Sequence, residues 1–380
     1  MQNMITSYEF DDPRQERWHI HPTKLGKVNL LVGTSGSGKT RFLNTFFNFS
    51  HFVAVSNRSW FGNWKISFIT EGCAYTWIMK VGLNKKNDRR EVLTEQLIKN
   101  PDNNRREILI DRTQVSFKFC NKELPKLPGE KPSVWLLKEE EKIQPIYKLF
   151  SHVLRQNFSG YALIKAKANT TLHPSVIKSF EKSPDIETLW SGDFPLGARM
   201  YLLKNYFPNK YELAMKFFKK IFPTVKGALV GIMENSPLEG LPEGIMPFFK
   251  VREKGVKPPI PLKELSSGMQ KVLLIITEIL SLPEGSIYLI DEYENSLGIN
   301  AIDFLPEFLI DHGGENQYLI TTHHPYLINK MPMRYWRVFN RRGSDVYVKP
   351  GSEFEERFGK SKQKAFIQLL NDPFYSEGVL

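Results

Sequence analysis

Only two cysteines, Cys73 and Cys120, occur in 380 residues, too few for a disulfide framework. No group of Cys and His has the spacing of a zinc site. Long apolar runs are also missing. The longest, Val272 to Leu282, is interrupted by Glu278 and is far too short to span a bilayer. The opening residues, MQNMITSYEFDD, lack the basic-then-apolar order of a secretory signal. No internal repeat is visible. These absences predict a soluble protein of a reducing compartment, the cytoplasm, with no membrane partner. Acid is scarcer than base: 41 Asp and Glu against 52 Lys and Arg leave a formal charge of +11, a bias toward polyanions such as nucleotides or DNA.

What is present describes a globular chain. Hydrophobic residues make up 41% and aromatics 13%, enough for a large core and for two domains or one domain with an insertion.

Val28 to Val32 reads as a short buried strand, followed at once by Gly33-Thr34-Ser35-Gly36-Ser37-Gly38-Lys39-Thr40 and a helix to about Phe49. The spacing GxxxxGK[ST] between a strand and a helix is that of a phosphate-binding loop. Its glycines let backbone N–H groups turn toward phosphates, Lys39 reaches the outer phosphates, and the Thr40 hydroxyl ligates Mg²⁺. A nucleotide and Mg²⁺ are therefore the expected ligands.

A second apolar strand, Ile287 to Ile290, ends in Asp291-Glu292. A carboxylate at the tip of a buried parallel strand can meet Mg²⁺ beside Thr40, the role expected of Asp291. Glu292 is then placed to polarise the attacking water as general base. A third strand, from Gln317, ends in Thr321-Thr322-His323-His324. His323 reads as a sensor of the terminal phosphate, with a metal pair or a plain surface histidine as alternatives; His324 reads as structural. Lys39, Glu292 and His323 are the catalytic candidates.

Leu265-Ser266-Ser267-Gly268-Met269 opens the apolar helix that precedes the Asp291 strand. Alone it is equally a helix N-cap and an anion site. In order, these elements resemble the ABC-type ATPase heads of the SMC, RecF and OLD class. The resemblance makes the nucleotide ATP, Leu265 to Met269 the signature, Asn295 to Leu297 the D-loop and His323 the H-switch. It also assigns Ser266 and Gly268 to the γ-phosphate held by an opposite subunit. The signature departs from LSGGQ at Ser267 and Met269, and no Q-loop glutamine is assigned, Gln114 and Gln144 both being open. Tyr8 or Trp18 is the candidate to stack on adenine.

The phrasing of these motifs looks most like the stand-alone ATPase subunits of two-gene bacterial anti-phage systems of the PARIS or Septu type. The implied fold is α/β: an ABC-type P-loop head with a mixed sheet, carrying a large α+β, mostly helical insertion. The expected organisation is head 1–59, inserted lid or docking domain 60–245, head 246–350 and tail 351–380, a strand-loop-helix segment. Helices are expected at 139–156, 196–205 and 210–221. Nine prolines between Pro125 and Pro223 exclude a long coiled coil.

The resemblance implies an ATP hydrolase that assembles head-to-tail on ATP, as a homodimer or larger homo-oligomer, and controls a separate effector, a nuclease. The alternative is a DNA-binding repair clamp. It draws on six lysines between Lys204 and Lys226 interleaved with Tyr206, Tyr211, Phe217 and Phe218. That stripe reads either as a nucleic-acid surface or as an amphipathic helix with solvated lysines.

Overall fold

A computed structural model describes residues 3–14, 18–55, 60–85, 87–100, 106–157, 171–192, 194–233, 245–294, 297–358 and 362–377. The chain divides into two compact units, the first comprising 1–156, 284–292 and 315–380, the second 157–283 and 293–314.

The first unit is built on one mixed sheet of fourteen strands. In chain order these are β1 (Met4–Asp11), β2 (His19–Lys24), β3 (Val28–Val32), β4 (Gly62–Thr70), β5 (Cys73–Asn84), β6 (Arg89–Asn100), β7 (Glu107–Thr113), β8 (Phe117–Phe119), β9 (Lys122–Leu124), β10 (Val153–Asn157), β14 (Ile287–Asp291), β15 (Gln317–Thr321), β16 (Trp336–Arg342) and β17 (Asp345–Pro350). The spatial order is β10-β14-β15-β3-β16-β17-β2-β1-β4-β5-β6-β7-β8-β9. β14, β15, β3 and β16 are mutually parallel. Every residue of β3, β14 and β15 is buried, as expected for central parallel strands covered on both faces. From β1 through β4 to β9 the pairing is antiparallel.

The helix Lys39–Val55 buries Phe42, Phe46, Phe49 and Phe52, a 3.6-residue periodicity. Phe49 meets Trp64, Trp77 and Phe150 at centroid distances of 5.0–5.6 Å. Each buried ring contributes roughly 1.5–3 kcal/mol, so this helix is fastened to the antiparallel half of the sheet.

The expected boundary of the insertion is corrected. β4 to β9 do not form a separate body; they continue the sheet that carries the loop Gly33–Thr40, because β4 pairs with β1 along seven residue pairs. The expected helix 139–156 is corrected too. It runs only from Gln144 to Ser151, and β10 follows, with Ile287 N–H donating to the His152 carbonyl at 2.9 Å. The tail holds three helices, Ser352–Phe358, Lys362–Leu370 and Pro373–Ser376, and no strand among its described residues. Asn340 of β16 donates its amide to the Phe374 carbonyl at 2.5 Å, which ties the tail to the sheet.

The second unit contains the sheet β11 (Val225–Met233), β12 (Met246–Glu253) and β13 (Ile260–Pro261) with helices that include Leu196–Tyr206, Pro208–Ile221, Ser267–Ser281 and Ile299–His312. The expected helices at 196–205 and 210–221 are present within a residue or two. Phe217 packs on Phe304 and Phe308 at 5.1 and 4.7 Å. Of the lysine stripe, Lys204 donates to the Val230 carbonyl, Lys210 to the Leu280 carbonyl, and Lys220 lies over the Phe304 ring. Half of that stripe is therefore engaged within its own unit, which favours the amphipathic-helix reading.

Among the described residues no helix is long and apolar enough to cross a membrane.

Candidate functional site

The C-terminal ends of β3, β14 and β15 lie side by side, the position where parallel α/β sheets place their ligands. β3 delivers the loop Gly33–Thr40, β14 delivers Asp291 and Glu292, and β15 delivers Thr321. The close packing of the loop requires its glycines. A Cβ on Gly33 would stand 2.6 Å from Ser37 Oγ and 2.9 Å from the Phe339 carbonyl oxygen. Gly38, at φ +99°, has Val346 Cγ2 2.8 Å from where its Cβ would sit, so a side chain there meets both steric overlap and a disfavoured backbone. Lys39 is buried, and its ammonium donates to the carbonyls of Gly33 at 2.7 Å and Thr34 at 2.9 Å and to Ser37 Oγ at 3.3 Å. Its charge is thus held in the curl of the loop. Ser35 and Gly36 form the exposed rim.

Asp291 is the hub. Its Oδ1 accepts the Thr321 hydroxyl at 2.7 Å and the Thr40 hydroxyl at 3.3 Å, and its Oδ2 faces Arg155 Nη2 at 3.3 Å. The Thr321 hydroxyl also accepts the Glu292 amide at 2.7 Å. Glu292 is exposed and has φ +48°, a left-handed backbone that a non-glycine residue adopts at some cost and that is over-represented at functional sites. Thr40 and Asp291 offer hydroxyl and carboxylate oxygens to one point. That donor set fits a hard cation such as Mg²⁺, which takes one or two carboxylates and completes its shell with phosphate and water. Among the described residues no group of three or more His, Cys, Asp or Glu could hold a metal.

His323 is exposed, two residues beyond Thr321. His324 is half-buried, with its backbone amide on Thr322 Oγ1 at 3.1 Å. Asn295 and Ser296 of the expected D-loop lie outside the described residues. Neither open glutamine is at the site: Gln114 stands in the turn between β7 and β8, and Gln144 begins the helix before β10. The residue that sequence reasoning missed is Arg155, on β10, the strand that borders β14; its Nη2 stands 3.3 Å from Asp291 Oδ2. Because 152 aligns with 287 and 155 reaches 291, β10 and β14 advance together and Gln156 arrives at the same end of the sheet as Asp291. The missed signal was the short run Val153-Leu154-Arg155-Gln156, absorbed into a helical pattern.

Tyr8 cannot stack on a base. It is fully buried against Phe42 and Phe46, donates to Thr45 Oγ1 at 2.8 Å, and burial pushes its phenol far up in pKa. Trp18 has Arg41 and Arg341 guanidinium carbons 3.9 and 5.2 Å from its ring centroid. A cavity of about 340 Å³ opens along the helix after Thr40, lined by Arg41, Asn44 and Asn48 with Phe10, Trp60 and Trp64 among its walls.

In the second unit Ser266 is the N-cap of Ser267–Ser281, its hydroxyl accepting the Met269 amide at 3.3 Å. The fully buried Gln270 donates its carboxamide to the carbonyls of Leu262 and Leu265, each at 2.9 Å, which fixes the turn that presents Ser266 and Gly268.

A family model described as "AAA domain, putative AbiEii toxin, Type IV TA system" matches residues 28–329. No curated protein sequence matches the chain. Among solved structures, an Smc head bound to the C-terminal winged-helix domain of ScpA is similar at 13% identity and a TM-score of 0.45, over 91% of this chain and 96% of that one. The Smc head with an extended coiled coil bound to the C-terminal domain of ScpA, from Pyrococcus furiosus, is similar at 11% identity and a TM-score of 0.46, over 94% and 98%. The SMC head domain of Thermotoga maritima is similar at 11% identity and a TM-score of 0.41, over 92% and 99%.

Proposed function

We propose, from the premise that the chain belongs to the AAA domain family matched over residues 28–329, that it hydrolyses ATP to ADP and phosphate. One observation carries this reading: Thr40 and Asp291, 251 residues apart in sequence, converge with a 3.3 Å contact at the mouth of the phosphate loop.

The loop amides of Gly33 to Thr40 bind the phosphate chain, and Lys39 turns from the loop carbonyls to the outer phosphates. Thr40 and Asp291 hold Mg²⁺, which supplies charge neutralisation on the phosphate oxygens. Glu292 orients and deprotonates the attacking water, and Thr321 sets its backbone. Gln156 follows Arg155 at the same end of the sheet, where its carboxamide would serve as a water or metal ligand if it turned toward the phosphates. His323 contacts the terminal phosphate. Arg41 adjoins both Thr40 and the aromatic cavity, so the nucleoside end lies toward that cavity.

Ser266 and Gly268 complete the site of a second copy, so that ATP joins two heads head-to-tail and hydrolysis separates them. The assembled state controls a separate effector, a nuclease, in bacterial anti-phage defence. The family description names a toxin–antitoxin system, a two-component arrangement that suits an ATPase paired with another protein. Light scattering of Glu292→Gln with ATP and Mg²⁺ tests the cycle. A stable, ATP-dependent assembly with turnover lost is expected, whereas wild-type turnover rules out the role of Glu292. The adjacent reading frame tests the effector: co-purification of its product with the ATP-trapped assembly is expected, and DNA captured instead, with strong salt dependence, supports the clamp.

A further inference from the structure

Asp291 uses its two oxygens differently. Oδ1 is held by the hydroxyls of Thr321 and Thr40, while Oδ2 has the guanidinium of Arg155 at 3.3 Å. The side chains of Arg155 and Asp291 are 15% and 7% exposed, so the pair is largely withdrawn from water and its attraction is stronger than at a surface.

Buried arginines elsewhere in this unit are anchored by several short bonds. Arg337 donates to the Lys24 carbonyl at 2.7 Å and to the Trp336 carbonyl at 2.7 Å. Arg112 donates to the carbonyls of Pro128 at 2.7 Å and Lys131 at 2.8 Å. Arg155 is bound differently. Its contact with Asp291 is single and longer than the 2.7–2.9 Å of a strong charge-assisted bond. Its Nε is buried with no hydrogen-bond partner, and Phe47 lies 6.0 Å away, ring centroid to guanidinium carbon. The fork geometry that makes arginine a bidentate clamp is unused.

A divalent cation on Oδ1 beside Thr40 would share one carboxylate with the guanidinium on Oδ2, and repulsion between the two cations weakens the hold of each. We infer that Arg155 is a positioning residue that competes with Mg²⁺ for Asp291: it neutralises the carboxylate before metal arrives and is displaced when Thr40 and Asp291 take the ion. The inference rests on the ATPase reading above. It raises the Mg²⁺ concentration required above what the loop and Asp291 alone would set, and it couples metal entry to β10.

The test titrates Mg²⁺ against a fluorescent ADP bound to the full chain, and so reads binding without turnover. For Arg155→Met the half-saturating Mg²⁺ concentration is expected to fall by about tenfold, the loss of one competing charge. Arg155→Lys keeps the charge and is expected to stay within about twofold of wild type. ADP affinity in EDTA is expected to differ between Arg155→Met and wild type by less than about threefold. A half-saturating concentration that is unchanged or raised in Arg155→Met overturns the inference, since Arg155 would then be neutral toward the metal or part of its support. If thermal melting shows Arg155→Met unfolded, Arg155→Gln is titrated in its place under the same criterion. Wild-type protein that binds ADP with no dependence on Mg²⁺ defeats the parent reading of the site, a result distinct from any difference among the Arg155 variants.

Discussion

The Thr321 hydroxyl accepts the backbone amide of Glu292 at 2.7 Å, which holds Glu292 in its left-handed conformation at φ +48°. The same hydroxyl donates to Asp291 Oδ1 at 2.7 Å. One side chain on β15 thus sets both acids of β14. Thr321→Val keeps the shape and removes both bonds, so turnover is expected to fall by at least about tenfold with nucleotide affinity little changed. Steady-state kinetics beside equilibrium binding checks this; an unchanged kcat contradicts it.

Lys39 is bonded to loop carbonyls and to Ser37, so its removal takes away the loop's internal brace and, on the proposed reading, the phosphate's cation. Lys39→Ala is expected to weaken ATP binding at least about a hundredfold, beyond the cost of one charge-assisted bond. Isothermal calorimetry measures it directly.

Gly38→Ala meets Val346 and a φ of +99° together. Strain at such a position costs of order 1–3 kcal/mol. A lower denaturant midpoint and weaker nucleotide binding are expected together. Gly38→Ala in combination with Val346→Ala is expected to recover only the steric part.

Ser266 caps its helix, and that role can be separated from a phosphate contact. Ser266→Ala is expected to cost about 1 kcal/mol of stability through the lost cap. Ser266→Asp retains a cap but brings a carboxylate to the proposed anion site, so stability is expected to hold while ATP-dependent assembly and turnover are lost. Retained assembly in Ser266→Asp leaves Ser266 with capping alone.

Asp12 supplies a pH dependence. Burial pushes its carboxyl up, but the side-chain and backbone hydrogen bonds of Arg14, with the charges of Arg14 and Arg41, outweigh burial and hold it below its ordinary value of 3.8. A carboxyl depressed in the folded state contributes stability that is present above its unfolded pKa and is lost as pH falls through the folded value. Asp12→Asn is therefore expected to be less stable than wild type at pH 7, with the gap narrowing below about pH 4. Denaturant melts at several pH values measure it.

What was legible in the chain was what its neighbours in sequence decide. The strand Val28–Val32, the glycines of the loop and the following helix are one contiguous stretch whose conformation is set by φ preferences and the 3.6-residue burial of Phe42, Phe46, Phe49 and Phe52. The strands ending at Asp291 and Thr321 were legible for the same reason, as short apolar runs closed by polar residues.

What only tertiary structure decided depends on pairing across long separations. Val153 and Leu154 fit a helical pattern, yet a backbone bond from Ile287 to His152 makes 153–157 a strand. That bond brings Arg155 to Asp291. Residues 62–124 were separated from the head by composition, but their antiparallel ladder along β1 makes them part of the same sheet. Local sequence sets the loop Gly33–Thr40 and the acids that end the Ile287–Asp291 strand. The hydrogen bonds that give Asp291 its partners Thr40, Thr321 and Arg155 join positions between 30 and 251 residues apart, and no local preference encodes a contact at that distance.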